Sequence, residues 1–114
     1  MTNLTVELTS EACCAVVRLD GDVDLASVDQ LRAVTVEASE LAPVRHLILD
    51  CRELDFLDSS GLKALIEAND AFDGALVLVS PKRAVRRVLE ITGLDGSFAS
   101  AESIEEARHV LHRE

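Results

Sequence analysis

Asp58, Ser59, Ser60 and Gly61 stand together in LDFLDSSGLKAL, between an apolar lead-in and the start of a helical pattern. Hydroxyls beside a carboxylate at such a junction suit three kinds of chemistry. The first is nucleophilic hydrolysis, since Ser59 and Gly61 are in x-S-x-G register. Against it, Leu57 fills the first glycine position of G-x-S-x-G, and the only downstream histidines, His109 and His112, lie in the C-terminal helical pattern. The second is helix capping, for which Asp58 or Ser59 is a natural N-cap. Capping leaves Gly61 unexplained, because glycine in a helical turn costs about 0.5 to 1 kcal/mol relative to alanine. It also leaves unexplained why Leu54, Phe56 and Leu57 are apolar in what reads as a loop; part of that loop is expected to face outward as a contact surface. Glycine at position 61 would let another molecule's backbone approach closely. The third chemistry is phosphoryl acceptance, for which Ser59 is better placed than for catalysis.

A second acidic group, Asp20, Asp22 and Asp24 in DGDVD, begins like a calcium loop. It fails later, where Leu25 replaces the required glycine and Leu31 the bidentate glutamate. A strand-to-helix turn with Asp24 as cap fits the segment, and a loop at the C-terminal side of an α/β sheet is also where such folds place their sites. His109 and His112 have i, i+3 spacing near Glu105 and Glu106, yet a position near a helix C-terminus explains them without a metal. No metal or cofactor is expected.

These residues need a scaffold. The chain has 114 residues, 48% hydrophobic and 28% charged, as expected of a single domain spanning 1–114. Leu4, Val6 and Leu8 alternate with polar residues and lead through Ser10-Glu11 into the apolar run Ala12 to Leu19, an antiparallel hairpin. Asp20-Gly21-Asp22 reads as a strand break. Helical spacing then runs from Leu25 to about Leu41, before Pro43. HLILDC, His46 to Cys51, reads as a central buried strand, followed by an Arg52 to Leu57 loop, a helix through Leu62, Leu65, Ile66 and Phe72, and a strand at Ala75 to Val79. A helix starts near Ser80-Pro81 and carries Val85, Val88 and Leu89; a short edge strand at Ser97 to Ala99 and a helix with Ile104, Ala107, Val110 and Leu111 complete the pattern. The expected fold is α/β, with a mixed sheet of four to five strands, an opening antiparallel hairpin and about four helices.

Lys and Arg number 11 against 21 Asp and Glu, a formal charge of −10, which repels nucleic acid. The cluster Lys82, Arg83, Arg86 and Arg87 has no tyrosine or tryptophan to stack a base and reads as the solvated face of a helix. Cys13, Cys14 and Cys51 lack C-x-x-C spacing and read as small buried residues in strands. No apolar run reaches the roughly 18 residues of a membrane span, and MTNLTVELTS lacks a signal-peptide pattern, so the expected location is cytoplasmic.

On the residues Gly21-Asp22-Val23-Asp24 with Leu31-Arg32, Leu49-Asp50, Phe56-Leu57-Asp58-Ser59-Ser60-Gly61-Leu62, and the later Gly74, Val79, Pro81, Val85, Leu89, Thr92-Gly93-Leu94 and Phe98, the chain resembles the STAS domain family. The likeness is to its small stand-alone anti-sigma factor antagonists. That resemblance implies a non-enzymatic module whose serine after the signature aspartate, here Ser59, is phosphorylated by an anti-sigma factor that is also a serine kinase. The unphosphorylated form would bind that factor and free a sigma factor, and a serine phosphatase would reset it. Asp22, Asp24, Phe56, Leu57, Asp58, Ser60 and Gly61 are the expected partner-binding residues. Two alternatives stay open: a receiver-like module phosphorylated on Asp50, and a STAS scaffold that binds a partner without serine phosphorylation.

Overall fold

Alternating Leu4, Val6 and Leu8 give the chain one apolar strand face, and in the computed structural model, which describes residues 4–111, they lie in β1 (Leu4–Glu11). A two-residue turn, Ala12-Cys13, returns the chain into β2 (Cys14–Val23), with Glu11 opposite Cys14. The turn therefore falls two residues later than Ser10-Glu11. Ala12 takes a left-handed φ of 52°, which makes so tight a reversal possible without glycine. Cys13 sits in this turn, half-buried, whereas Cys14 and Cys51 are buried strand residues. Desolvation pushes the Cys51 thiol up to about 12, leaving it unreactive.

The Asp20-Gly21-Asp22 break and the Arg52 to Leu57 loop are both corrected by one feature. β2 continues through Gly21, whose φ of 116° belongs to an irregularity in the pairing, and β3 (His46–Leu57) continues alongside it. Asp22 then pairs with Phe56 and Val23 with Leu57. Each segment looks like a loop alone because charged residues interrupt it, Asp20 and Asp22 in one and Arg52, Glu53 and Asp55 in the other; as neighbours they satisfy each other's backbone groups.

The remaining elements are α1 (Val28–Glu40), α2 (Ser59–Ala71), β4 (Leu76–Val79), α3 (Arg83–Ile91), a 3-10 turn at Asp95–Ser97, β5 (Ala99–Ala101) and α4 (Ile104–Leu111). The sheet order is β1-β2-β3-β4-β5; β1 is antiparallel to β2 and all other pairs are parallel. The mixed α/β sheet with four α-helices among the described residues agrees with the expectation from sequence.

The sheet divides two cores. Val17, Leu19, Leu47, Leu49, Leu76 and Leu78 face α1, α2 and α3, which contribute Leu31, Leu65, Val85 and Leu89. On the other face α4 alone covers Cys14, Val16, Ile48, Val77 and Val79 with Ala107 and Leu111. This two-sided burial explains the unbroken apolar runs of β3 and β4. Among the described residues no helix is long and apolar enough to cross a membrane.

Candidate functional site

The C-terminal ends of β2 and β3 place two loops side by side. In the first, Asp24 does not cap α1 as expected: the N-cap residue is Ser27, without a side-chain cap of its own, and the Asp24 side chain bonds only residues that precede the helix. The Asp24 carboxylate instead accepts from the N–H groups of Ala26 and Ser27 at 3.0 and 3.1 Å and from the Ser27 hydroxyl at 3.2 Å. Ser27, 1% exposed, donates in turn to the Asp22 carbonyl at 2.8 Å. Asp24 is thus held by its own loop. Leu25, assigned from periodicity to the buried face of α1, lies before the helix and is 79% exposed.

In the second loop Asp58, rather than Ser59, is the N-cap of α2. Its N–H donates to the Val23 carbonyl at 3.1 Å, and its Oδ1 accepts from the Gly61 N–H at 3.0 Å and from the Ser60 hydroxyl at 2.6 Å. Partial burial pushes the Asp58 carboxyl up, but bonds from the Ser60 hydroxyl and the N–H groups of Gly61, Ser60 and Leu25 outweigh it and hold the group below the ordinary carboxylate range. With its N–H on the Val23 carbonyl and its carboxylate on the Gly61 N–H, Asp58 ties the end of β2 to the start of α2.

The two serines differ sharply. Ser60 is half-buried with its hydroxyl on Asp58, whereas Ser59, the first helical residue, is exposed and its hydroxyl makes no hydrogen bond among the described residues. Gly61 needs a different reason from the one expected. A Cβ there would lie 2.5 Å from Leu57 Cδ1 and 2.7 Å from Val23 Cγ1, so the glycine serves the approach of α2 to its own sheet. The apolar lead-in also divides: Leu54 and Leu57 are buried, while Phe56 is 48% exposed. Phe56 and Leu25 thus present apolar surface from the two segments that Asp58 joins. Sequence periodicity concealed Leu25; its one signal was an apolar residue placed before the Ser27 turn. Asp22 is half-buried on the strand opposite Phe56.

Neither alternative chemistry finds its geometry. The ring of His46 belongs to the N-terminal end of β3, and His109 is exposed on α4, so neither joins Ser59; His112 lies outside the described residues. Asp50 is only 3% exposed and is gripped through both oxygens by the Arg52 guanidinium at 2.9 and 2.7 Å, with the Arg52 N–H at 3.2 Å. The Arg52 side-chain hydrogen bonds hold its carboxyl below the ordinary range despite burial. A receiver-like acceptor would need an open carboxylate and a parallel first strand pair. Among the described residues no group of three or more His, Cys, Asp or Glu could hold a metal ion.

The STAS domain family model matches residues 4–107. The chain belongs to the STAS domain family. An anti-sigma F factor antagonist of Paenibacillus polymyxa is 28% identical to this STAS domain over 95 residues, covering 81% of each chain. The solved structure of the anti-sigma factor antagonist SpoIIAA in its unphosphorylated form superposes with a TM-score of 0.80 at 26% identity, covering 96% of this chain and 98% of that one. The Bacillus cell fate determinant SpoIIAA in the phosphorylated form gives 0.70 at 25% identity, covering 93% and 99%.

Proposed function

We propose that this STAS domain is an anti-sigma factor antagonist whose unphosphorylated form binds an anti-sigma factor with serine kinase activity, so releasing a sigma factor, and that phosphorylation of Ser59 switches binding off until a serine phosphatase removes the phosphate. One observation carries this reading: of two adjacent serines at the start of α2, Ser60 is committed to Asp58 while the exposed Ser59 hydroxyl is open to a phosphoryl donor. The relatives solved in unphosphorylated and phosphorylated forms support it.

The physics supplies a switch. A phosphate on Ser59 adds about −1.5 to −2 charges at a helix N-terminus, where the dipole favours anions, so the fold tolerates it. At an interface the same charge stands beside an ionised Asp58, with Asp22 at the end of β2 and Asp24 in the loop that follows it. Desolvation and repulsion there cost several kcal/mol, and about 1.4 kcal/mol already weakens affinity tenfold. In this reading Phe56 and Leu25 make the apolar contact, Asp22, Asp24, Asp58 and Ser60 shape its polar rim, and buried Leu57 and Gly61 act by positioning it.

Phosphopeptide mapping after incubation with Mg-ATP and lysate of the native cells is expected to place phosphate on Ser59. Calorimetry against the anti-sigma factor should then find Ser59→Ala binding like wild type and Ser59→Glu much weaker. Equal affinities of these two variants would defeat the switch.

A further inference from the structure

α3 carries its charge in the order a helix disfavours. Lys82 is its N-cap and Arg83 its first residue, with no acidic side chain in the first turn and no basic one in the last. Cations at a helix N-terminus oppose the dipole. α4 shows the ordinary arrangement, Glu105 and Glu106 at its start and Arg108 and His109 at its end. Arg83, Arg86 and Arg87 are also exposed and form no ion pair among the described residues, in a chain with 21 acidic residues. Helix stability does not explain this cluster.

The packing of α3 turns the cluster outward. Val85 and Leu89, 0% and 5% exposed, anchor the opposite face of α3 in the core. Arg83, Arg87 and Ile91 follow one another at i, i+4 and i+8, and with Arg86 and Glu90 they line a shallow depression. Ile91 is 76% exposed, an apolar end to a cationic stripe. The Lys82 ammonium pairs with Asp55, next to exposed Phe56, which makes the stripe continuous with the rim of β3.

We infer that this face of α3 is a docking surface for an acidic amphipathic helix of a protein partner, its carboxylates meeting Arg83, Arg86 and Arg87 and an apolar side chain meeting Ile91. Charge complementarity and size select that occupant. From Arg83 to Ile91 the stripe is about 12 Å long, which two to three turns of helix match. Duplex DNA, with a charge about every 1.7 Å of its axis, or an anionic membrane would extend past the stripe onto a surface of net charge −10. A short acidic helix stays on the stripe, where salt screens remote charge beyond about 8 to 10 Å. This inference does not depend on phosphorylation of Ser59.

The test titrates the isotope-labelled full chain with a synthetic helical peptide bearing glutamates at i, i+3 and i+4 around one leucine, and with the same peptide carrying serine for leucine. Amide resonances of residues 83–91 should move, the leucine peptide should bind several-fold tighter, and raising salt should weaken both. Arg83→Glu/Arg86→Glu/Arg87→Glu should lose at least about tenfold in affinity with unchanged circular dichroism and a melting temperature no lower than that of wild type, and Ile91→Ala should abolish the leucine preference. Ser59→Glu should bind the peptide like wild type, which separates this surface from the phosphorylation switch. The proposal is overturned if the two peptides bind equally, if shifts spread over cations elsewhere, if the triple variant binds as wild type, or if duplex DNA or phosphatidylserine vesicles bind α3 in preference to the leucine peptide.

Discussion

α2 and α3 start at equivalent places, the C-terminal ends of the adjacent parallel strands β3 and β4, yet their first turns are opposites. The start of α2 is closed: Asp58 caps Gly61, takes the Ser60 hydroxyl and donates its N–H to Val23 at the end of β2, so its electrostatics suit the helix. The start of α3 has no side-chain cap, and its cations oppose the dipole. One topological position therefore supports two chemistries, an acidic turn that leaves a single serine hydroxyl open and a basic stripe that awaits carboxylates. The strands set where a functional turn stands, and the side chains of that turn set what it recognises.

The comparison breaks most readily at Gly61. Gly61→Ala should destabilise the fold by about 1 to 3 kcal/mol through overpacking against Leu57 and Val23, although alanine is the better helix former. At Ala84, an exposed position in the first turn of α3, Ala84→Gly should cost no more than about 1 kcal/mol, the intrinsic propensity alone. Denaturant unfolding of both variants measures the contrast, and a stabilised Gly61→Ala would remove the close-packing account.

Asp58→Ala should cost about 0.5 to 2 kcal/mol, as the loss of an N-cap does, with Asp58→Asn costing less. The pH dependence has a definite sign. Because the folded Asp58 titrates below its ordinary value of 3.8, its contribution is present above that pH and is lost as pH falls through the lower folded value. Asp50, held below 3.8 chiefly by Arg52, adds to stability in the same window. Thermal melts of wild type and Asp50→Asn/Asp58→Asn should therefore differ at neutral pH and converge in acid; a constant difference would exclude both carboxylates as the cause.

The smallest effect should come from α3. Arg83→Glu should stabilise the protein by about 0.3 to 1 kcal/mol at low ionic strength, fading with added salt, because it replaces a cation by an anion at a helix N-terminus. A destabilised variant would mean that Arg83 has a structural partner after all.

Local chemistry in the sequence determined much of this molecule. Alternation marked β1, continuous apolar runs marked the centres of β3 and β4, and Asp58-Ser59-Ser60-Gly61 announced a helix start. These features survive because period, burial and capping act over a few neighbouring residues. Three others were decided only by the tertiary structure. The ends of β2 and β3 are strands because each completes the other's hydrogen bonding across the sheet. Gly61 is required by Val23 and Leu57, one of them 38 positions distant in the chain. Ser59 is distinguished from Ser60 by which hydroxyl Asp58 captures, a choice made by the geometry of the folded turn. Contacts between residues far apart in sequence leave no periodic trace, and it is these contacts that turn a signature into a site.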